Sequence, residues 1–185
     1  MSANPPERVK RGRVKIALLG AFFALPFTLA WLAWWLDWAP GSTSNYGELI
    51  SPPRPLPGRT FEALHGKWVL VSFDAAACDA YCEKKLYFMR QVRRAQGKDE
   101  GRLEWLWLVT DGALPRAALL AAIEGSRIEP AAGLAAAFPA AGPIGDHIYV
   151  IDPLGNLMMR FPRDPDPSRM LKDLQRLLKV VQRAA

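Results

Sequence analysis

Residues 68–86 read WVLVSFDAAACDAYCEKKL, and this stretch decides the fold. Its start, Trp68–Phe73, is a nearly continuous apolar run, which is typical of a strand that a sheet buries on both faces. Apolar residues then recur at helical spacing through residues 79–96, which predicts a helix with one buried side. Cys78 and Cys82 therefore lie where a buried strand gives way to a helix.

The predicted elements downstream alternate in the same way. They are a second buried strand over Leu103–Val109, a helix over 115–124, strands over His147–Ile151 and Leu157–Phe161, and a last helix capped by Asp166. The order β-α-β-α-β-β-α has parallel strands first, then a hairpin, then a closing helix. It predicts an α/β fold, a thioredoxin-like domain.

An apolar segment precedes this domain. Residues 16–36, IALLGAFFALPFTLAWLAWWL, carry no charge. At ~1.5 Å per residue they span about 30 Å, the thickness of a bilayer core, so we expect a transmembrane helix over 16–38. A cleaved signal peptide would have a shorter apolar region and an A-x-A-like cleavage site, so we expect a retained anchor.

The charge of the N-terminal tail predicts the orientation of this anchor. Residues 1–15 hold five basic side chains and one acidic side chain, which favours a cytoplasmic N-terminus. We therefore expect a single-pass protein of a bacterial inner membrane with its domain in the periplasm. The net charge of +6 comes mostly from this tail, so nucleic acid is not an expected partner.

The exported part divides into a linker and a domain. Residues 39–57, APGSTSNYGELISPPRPLP, are rich in Pro, Gly and Ser, which predicts an extended linker. The domain then covers residues 58–185. With 128 residues it is long enough to bury a core without additional cross-links.

Three interpretations of the cysteine pair stay open. In the spacing C-x-x-x-C the two residues lie one helical turn apart, which is compatible with a disulfide, and export places them in an oxidising compartment. The pair is then a structural bridge, a redox-active dithiol or part of a soft-metal site. Two cysteines alone exclude an all-cysteine zinc site.

His147 is the predicted third ligand of such a metal site. It begins the third predicted strand, and in this topology that strand starts beside the N-terminus of the first helix. Two thiolates and one imidazole suit Cu(I), which prefers sulfur and tolerates low coordination. The other histidine, His65, is expected in a surface loop at the far end of the sheet.

Three motifs follow one another along the domain. Gly58–Phe73 has the pattern G-x-x-F-x-x-L-x-G-K-W-V-L-V-S-F, Cys78 and Cys82 come next, and Asp146-His147 precedes Tyr149–Gly155. Together with the order of anchor, linker and domain, these motifs resemble the Sco family, membrane-anchored proteins that assemble the copper centre of cytochrome c oxidase. The chain departs from the family pattern at Asp79 and Glu83, where members usually have proline, and so resembles a divergent member.

The resemblance implies a copper-binding assembly factor. Such a protein delivers copper, with Cu(I) favoured, or performs copper-linked thiol chemistry for the oxidase copper centre, and it is a metallochaperone rather than an enzyme. Cys78, Cys82 and His147 would be its metal ligands, the two cysteines its redox pair, and no further catalytic residue is expected. The alternatives are a periplasmic thiol–disulfide oxidoreductase without its own metal, and a non-catalytic assembly scaffold.

The expected partners are an oxidase subunit or another copper or redox assembly protein. A run of basic residues on the first predicted helix is relevant here: Lys84, Lys85, Arg90, Arg93 and Arg94. We interpret this run as a solvated helix face. If it docks, an acidic oxidase subunit or a cytochrome is the expected partner.

Overall fold

The computed structural model describes residues 7–36, 45–139 and 142–182. Contacts divide the chain into two compact units, Met1–Thr43 and Ser44–Ala185. Residues 1–6 of the predicted tail and 37–38 of the predicted membrane span lie outside the described residues. In the first unit, helix α1 runs over Glu7–Trp35. Its 24-residue stretch Gly12–Trp35 is long and apolar enough to cross a membrane, in agreement with the predicted span.

The second unit is built on a mixed sheet. Within the described residues this sheet has six strands in the spatial order β1-β6-β5-β2-β3-β4. Their bounds are β1 Glu48–Pro55, β2 Trp68–Asp74, β3 Leu103–Val109, β4 Arg127–Pro130, β5 Ile148–Ile151 and β6 Asn156–Phe161. The strand β2 pairs parallel with β3 and antiparallel with β5. The predicted arrangement, parallel strands followed by a hairpin, is confirmed.

Helices lie between the strands and after them. They are α2 Arg59–Glu62, α3 Ala80–Arg94, α4 Ala117–Ala122 and α5 Pro167–Gln182, and short 3₁₀ turns lie at 97–102, 134–137 and 144–146. The predicted cap of the last helix is present, because the Asp166 carboxylate accepts from the backbone N–H of Ser168 at 2.8 Å. An equivalent cap starts α3, where Asp79 accepts from the N–H of Cys82 at 2.9 Å.

The alternation of side chains along the strands separates two core clusters in the described part of the domain. On one face, Trp105 and Trp107 pack with the buried side of α3, which includes Cys82, and with α5. On the other face, Phe73 and Tyr149 pack with Phe61 of α2. We call these the α3 face and the α2 face, and the cysteine pair belongs to the α3 face.

The linker predicted over 39–57 is wrong for residues 48–55. These residues form β1, an edge strand that pairs antiparallel with β6. Prolines are tolerated in an edge strand because its outer side has no hydrogen-bond partner to lose. The domain therefore begins before residue 58, and residues 39–44 of the predicted linker lie outside the described part of the chain.

Tyr149 makes the stability of the domain depend on pH in the alkaline range. Its ring is fully buried on the α2 face, and its hydroxyl donates to the carbonyl of Pro139 at 3.3 Å. Burial raises the pKa of Tyr149 to about 12. Between its usual value of 10.0 and about 12, the unfolded chain loses this proton while the folded chain keeps it. The free energy of unfolding therefore falls as the pH rises through that window.

We expect Tyr149→Phe to flatten this alkaline loss of stability. The measurement is urea unfolding of the chain at several pH values across the window, and Tyr87→Phe, on an exposed ring, is the matched control. If the free energy of unfolding of Tyr149→Phe falls with pH as steeply as that of the control and of the unsubstituted chain, the buried phenol is not the cause of the alkaline loss of stability.

Candidate functional site

The two cysteines are joined in a disulfide at the turn between β2 and α3. Their Cα atoms lie 5.2 Å apart. Cys82 is in the first turn of α3, and Cys78 has a left-handed backbone conformation (φ 43°) just before the helix. That conformation is costly for a residue with a Cβ, and such strain concentrates at functional sites. Cys78 is 4% exposed and Cys82 is 1% exposed.

A cavity of about 190 Å³ borders the disulfide. Both cysteines line it, together with Asp74, Ala77 and Asp79. The cavity adjoins both cysteines, although their side chains are almost fully buried.

Two side chains from the β3–α4 loop hold the cysteine turn in place. The Asp111 carboxylate accepts from the backbone N–H of Ala76 at 3.1 Å and from that of Ala113 at 3.2 Å. These hydrogen bonds hold the pKa of Asp111 below its usual range. On the other side, Arg116 donates to the carbonyl of Cys78 at 3.2 Å and pairs with Glu83 of α3.

The solvated-face interpretation of the basic run is wrong for Lys85. Its side chain is 1% exposed, and its Nζ lies 2.9 Å from the Asp74 carboxylate, which is itself 11% exposed. A buried ammonium is stable only with a partner, and here the partner is the last residue of β2. A signal for this burial exists in the sequence, because Lys85 lies three residues after Cys82 and four before Met89, on the apolar side of the helix.

Burial sets the direction of the pKa shift of both Asp74 and Lys85. Loss of water raises the pKa of Asp74 above its usual range, although Lys85 and a 2.5 Å hydrogen bond from Ser72 oppose the shift. Loss of water also lowers the pKa of Lys85, and Asp74 opposes that shift. Each partner therefore compensates the desolvation cost of the other.

Lys85 and Tyr81 connect α3 to the segment in front of β5. Lys85 donates to the carbonyl of Gly145, and the Tyr81 hydroxyl donates to that of Asp146 at 3.1 Å. Gly145 packs so closely on β2 that an added Cβ would lie 2.9 Å from the carbonyl oxygen of Phe73. The segment Ile144–Asp146 is thereby attached at the end of β2 where the cysteine turn begins.

His147 follows this segment, but its ring is not grouped with the two sulfurs. Its Nδ1 lies 3.0 Å from the carbonyl oxygen of Phe161, and its ring centroid lies 6.0 Å from that of Tyr149, a residue of the α2 face. Among the residues that the structure describes, no group of three His, Cys, Asp or Glu side chains could hold a metal ion. In this form the two sulfurs are bonded to each other, and the ligand set Cys78, Cys82 and His147 stays a prediction.

Sequence reasoning finds the cysteines and misses the residues that surround them. Asp74 and Lys85 form the buried pair, Tyr81 and Gly145 position the segment before His147, and Arg116 contacts the Cys78 carbonyl. These residues come from four separate stretches of the chain, and except for Lys85 no local pattern indicates them.

A mixed sheet of this order, with a cysteine pair at the turn from a central strand into a helix, defines a protein of the thioredoxin fold class. Residues 68–181 match the family model described as transmembrane-like, thioredoxin-like, C-terminal domain, and the chain belongs to this family. No curated protein sequence matches the chain.

Solved structures with this fold include Sco proteins. ScoI of Bradyrhizobium japonicum with copper bound is 20% identical, with a TM-score of 0.50 over 69% of this chain and 99% of that one. Apo Sco1 of Thermus thermophilus is 16% identical, with a TM-score of 0.52 over 76% and 99%. Yeast Sco1 is 17% identical, with a TM-score of 0.53 over 65% and 84%. These neighbours agree with the predicted resemblance to Sco proteins, and at such identities they show that the fold is shared.

Proposed function

We propose that this chain is a membrane-anchored thiol protein whose Cys78–Cys82 pair changes between disulfide and dithiol. The observation that carries the proposal is the disulfide itself, at the start of α3 and beside a cavity of about 190 Å³. Helix N-termini favour thiolates, and Arg116 adds a positive charge next to Cys78. Asp79 and Glu83 oppose this effect, and the ion pair between Glu83 and Arg116 offsets the charges of both of its partners.

The exchange step is a two-electron transfer between this pair and a dithiol of a partner. A partner thiolate attacks one sulfur of the pair, the Cys78–Cys82 bond breaks, and the released thiolate takes a proton from water. The second thiol of the partner then loses its proton and attacks the partner's own sulfur in the mixed disulfide, so the second sulfur of this chain leaves as a thiolate and takes up a proton. The partner leaves as a disulfide, and this chain is left as the dithiol.

A second candidate function is copper binding by the reduced pair. Two thiolates suit Cu(I), and one of the similar structures is that of ScoI with copper bound. A hydrogen bond from His147 Nδ1 to the carbonyl of Phe161 would leave its Nε2 as the nitrogen with a lone pair for a metal. Reduction frees the sulfurs, and movement of His147 toward them would complete the predicted site. Delivery of this copper to cytochrome c oxidase is the role that the Sco resemblance implies.

The proposed location follows from the helix and the basic tail. The tail keeps the N-terminus in the cytoplasm of a bacterium, α1 spans the inner membrane, and the domain lies in the periplasm, where disulfides persist. A periplasmic reporter enzyme fused after Ala185 should be active, and activity of a cytoplasmic reporter there would contradict this orientation.

Single substitutions separate the two candidate functions. The full chain in detergent is equilibrated with glutathione buffers, the dithiol fraction is measured by alkylation, and Cu(I) binding to the reduced chain is measured by competition with a colorimetric chelator. Cys78→Ser and Cys82→Ser should abolish both properties. His147→Ala should leave the dithiol equilibrium intact and weaken Cu(I) binding by at least about 10-fold, which is the smallest loss expected when support for a metal ligand is removed.

His65→Ala is the matched control, because it removes the other histidine, on the exposed surface near Gly155. It should change neither measurement. Equal Cu(I) binding in His147→Ala and His65→Ala would remove His147 from the ligand set and leave thiol exchange as the function. A pair that no glutathione buffer reduces would overturn the exchange proposal.

A further inference from the structure

A second cavity, of about 350 Å³, lies between α3 and α4. We call it the α3–α4 groove. Leu119 of α4 and Ile123, directly after that helix, line it and are 7% and 4% exposed, so its floor is apolar. Tyr87 of α3 also lines it and is 53% exposed. A groove with a buried apolar floor and an exposed aromatic ring has room for one apolar side chain of a partner.

Arg116 connects the groove to the backbone of the cysteine turn. Arg116 lines the groove and also donates to the Cys78 carbonyl, so one side chain borders both places. Two apolar side chains of the same region, outside the groove lining, are open to solvent: Leu114 in the loop before α4 is 95% exposed and Leu120 on α4 is 39% exposed. Exposed apolar residues beside a reactive site are typical of a surface that binds a protein.

The charges of the groove select an acidic occupant. Arg116 is paired with Glu83, whereas Arg90 makes no ion pair within the described part of the chain. Arg90 donates through Nη1 to the carbonyl of Ala122, and its Nε is buried with no hydrogen-bond partner among the described residues. The Nε itself is shielded from a partner, but Arg90 as a whole is only half-buried, and a carboxylate is the acceptor that best suits a guanidinium.

We propose that the α3–α4 groove binds an acidic segment of the protein that exchanges thiols with Cys78–Cys82, an inference that rests on the proposed thiol function. The segment inserts an apolar side chain between Leu119 and Ile123 and gives a neighbouring carboxylate to Arg90. It thereby presents the partner's cysteine beside Arg116 and the disulfide.

The test uses two fluorescent peptides of equal length that contain serine and no cysteine. Both carry the same leucine, flanked by two glutamates in one peptide and by two lysines in the other. The full chain in detergent should bind the acidic peptide at least about 10-fold more tightly, as expected for a charge-assisted hydrogen bond. Arg90→Gln should abolish this preference, and Arg94→Gln, at an exposed position of the same helix, should keep it.

A second pair of variants does not depend on the contact between Arg90 and Ala122. Ala118→Glu puts a carboxylate into the groove, and Ala117→Glu puts one on the same helix outside the residues that line it. Only Ala118→Glu should weaken binding of the acidic peptide. The proposal is overturned if the two peptides bind equally, or if Ala118→Glu and Ala117→Glu have equal effects on binding. It is also overturned if the chain dimerises through this groove and shows no preference between the peptides. Peptides without cysteine make these results independent of whether the pair exchanges thiols.

Discussion

Replacement of Lys85 by methionine is expected to lower the free energy of unfolding by about 3–5 kcal/mol, the usual cost of removing one partner of a buried ion pair. The methionine fills a similar volume, so the loss comes from the Asp74 carboxylate, which is 11% exposed and would remain without its cation. The carbonyl of Gly145 would lose its donor as well. The measurement is urea unfolding of the full chain in detergent, followed by fluorescence.

Lys84→Met is the matched control for this prediction. Lys84 is the neighbouring residue, its side chain is 48% exposed, and its partner Asp164 is 61% exposed. An exposed pair of this kind contributes about 0–1 kcal/mol, so the control should be nearly neutral. The double variant Asp74→Asn with Lys85→Met should recover part of the loss, because it removes both buried charges. Equal stability of Lys85→Met and Lys84→Met would show that Lys85 is not buried as described.

Replacement of Asp173 by alanine is expected to lower the free energy of unfolding by about 2–6 kcal/mol, since two N–H groups lose an acceptor at about 1–3 kcal/mol each. The Asp173 carboxylate on α5 is 3% exposed and accepts from the backbone N–H of Tyr46 at 2.7 Å and of Gly47 at 2.9 Å. These are the residues that lead into β1. The edge strand should therefore loosen before the centre of the sheet.

Hydrogen exchange locates this effect. In Asp173→Ala, the amides of β1 should exchange faster than in the unsubstituted chain, while those of β2 and β3 should change only with global stability. Lys172→Ala is the control, because it alters the same helix at an exposed position. Unchanged protection of β1 in Asp173→Ala would mean that pairing with β6 alone holds the strand.

Local patterns in the sequence predict the parts of the fold that depend on local chemistry. The apolar runs predict β2 and β3 because buried parallel strands contain few polar residues, and helical spacing predicts α3 and α5. Strand β4 is missed because Arg127–Pro130 has only four residues and no buried one. Strand β1 is missed because its two internal prolines suggest a linker, although an edge strand tolerates them.

In the candidate site, too, local patterns predict some features and miss others. C-x-x-x-C at a strand-to-helix turn is enough to predict that Cys78 and Cys82 lie together, because one helical turn separates them. The position of His147 depends on how the segment Ile144–Asp146 attaches to β2, and that attachment uses Tyr81 and Lys85 from α3. Its ring packs by Tyr149 on the α2 face, a result of strand alternation combined with contacts from β6.

The sequence by itself determined the apolar N-terminal helix, the strands β2, β3, β5 and β6, the helices α3, α4 and α5 and the cysteine pair, since each follows from composition or spacing within about twenty residues. Only the tertiary structure decided that α3 holds the segment before His147 and that β1 belongs to the sheet. The physical reason is the distance along the chain: Asp173 and Tyr46 are 127 residues apart, and Tyr81 and Asp146 are 65 residues apart. Hydrogen bonds over such separations form only when the sheet has brought both partners together, so no local pattern encodes them.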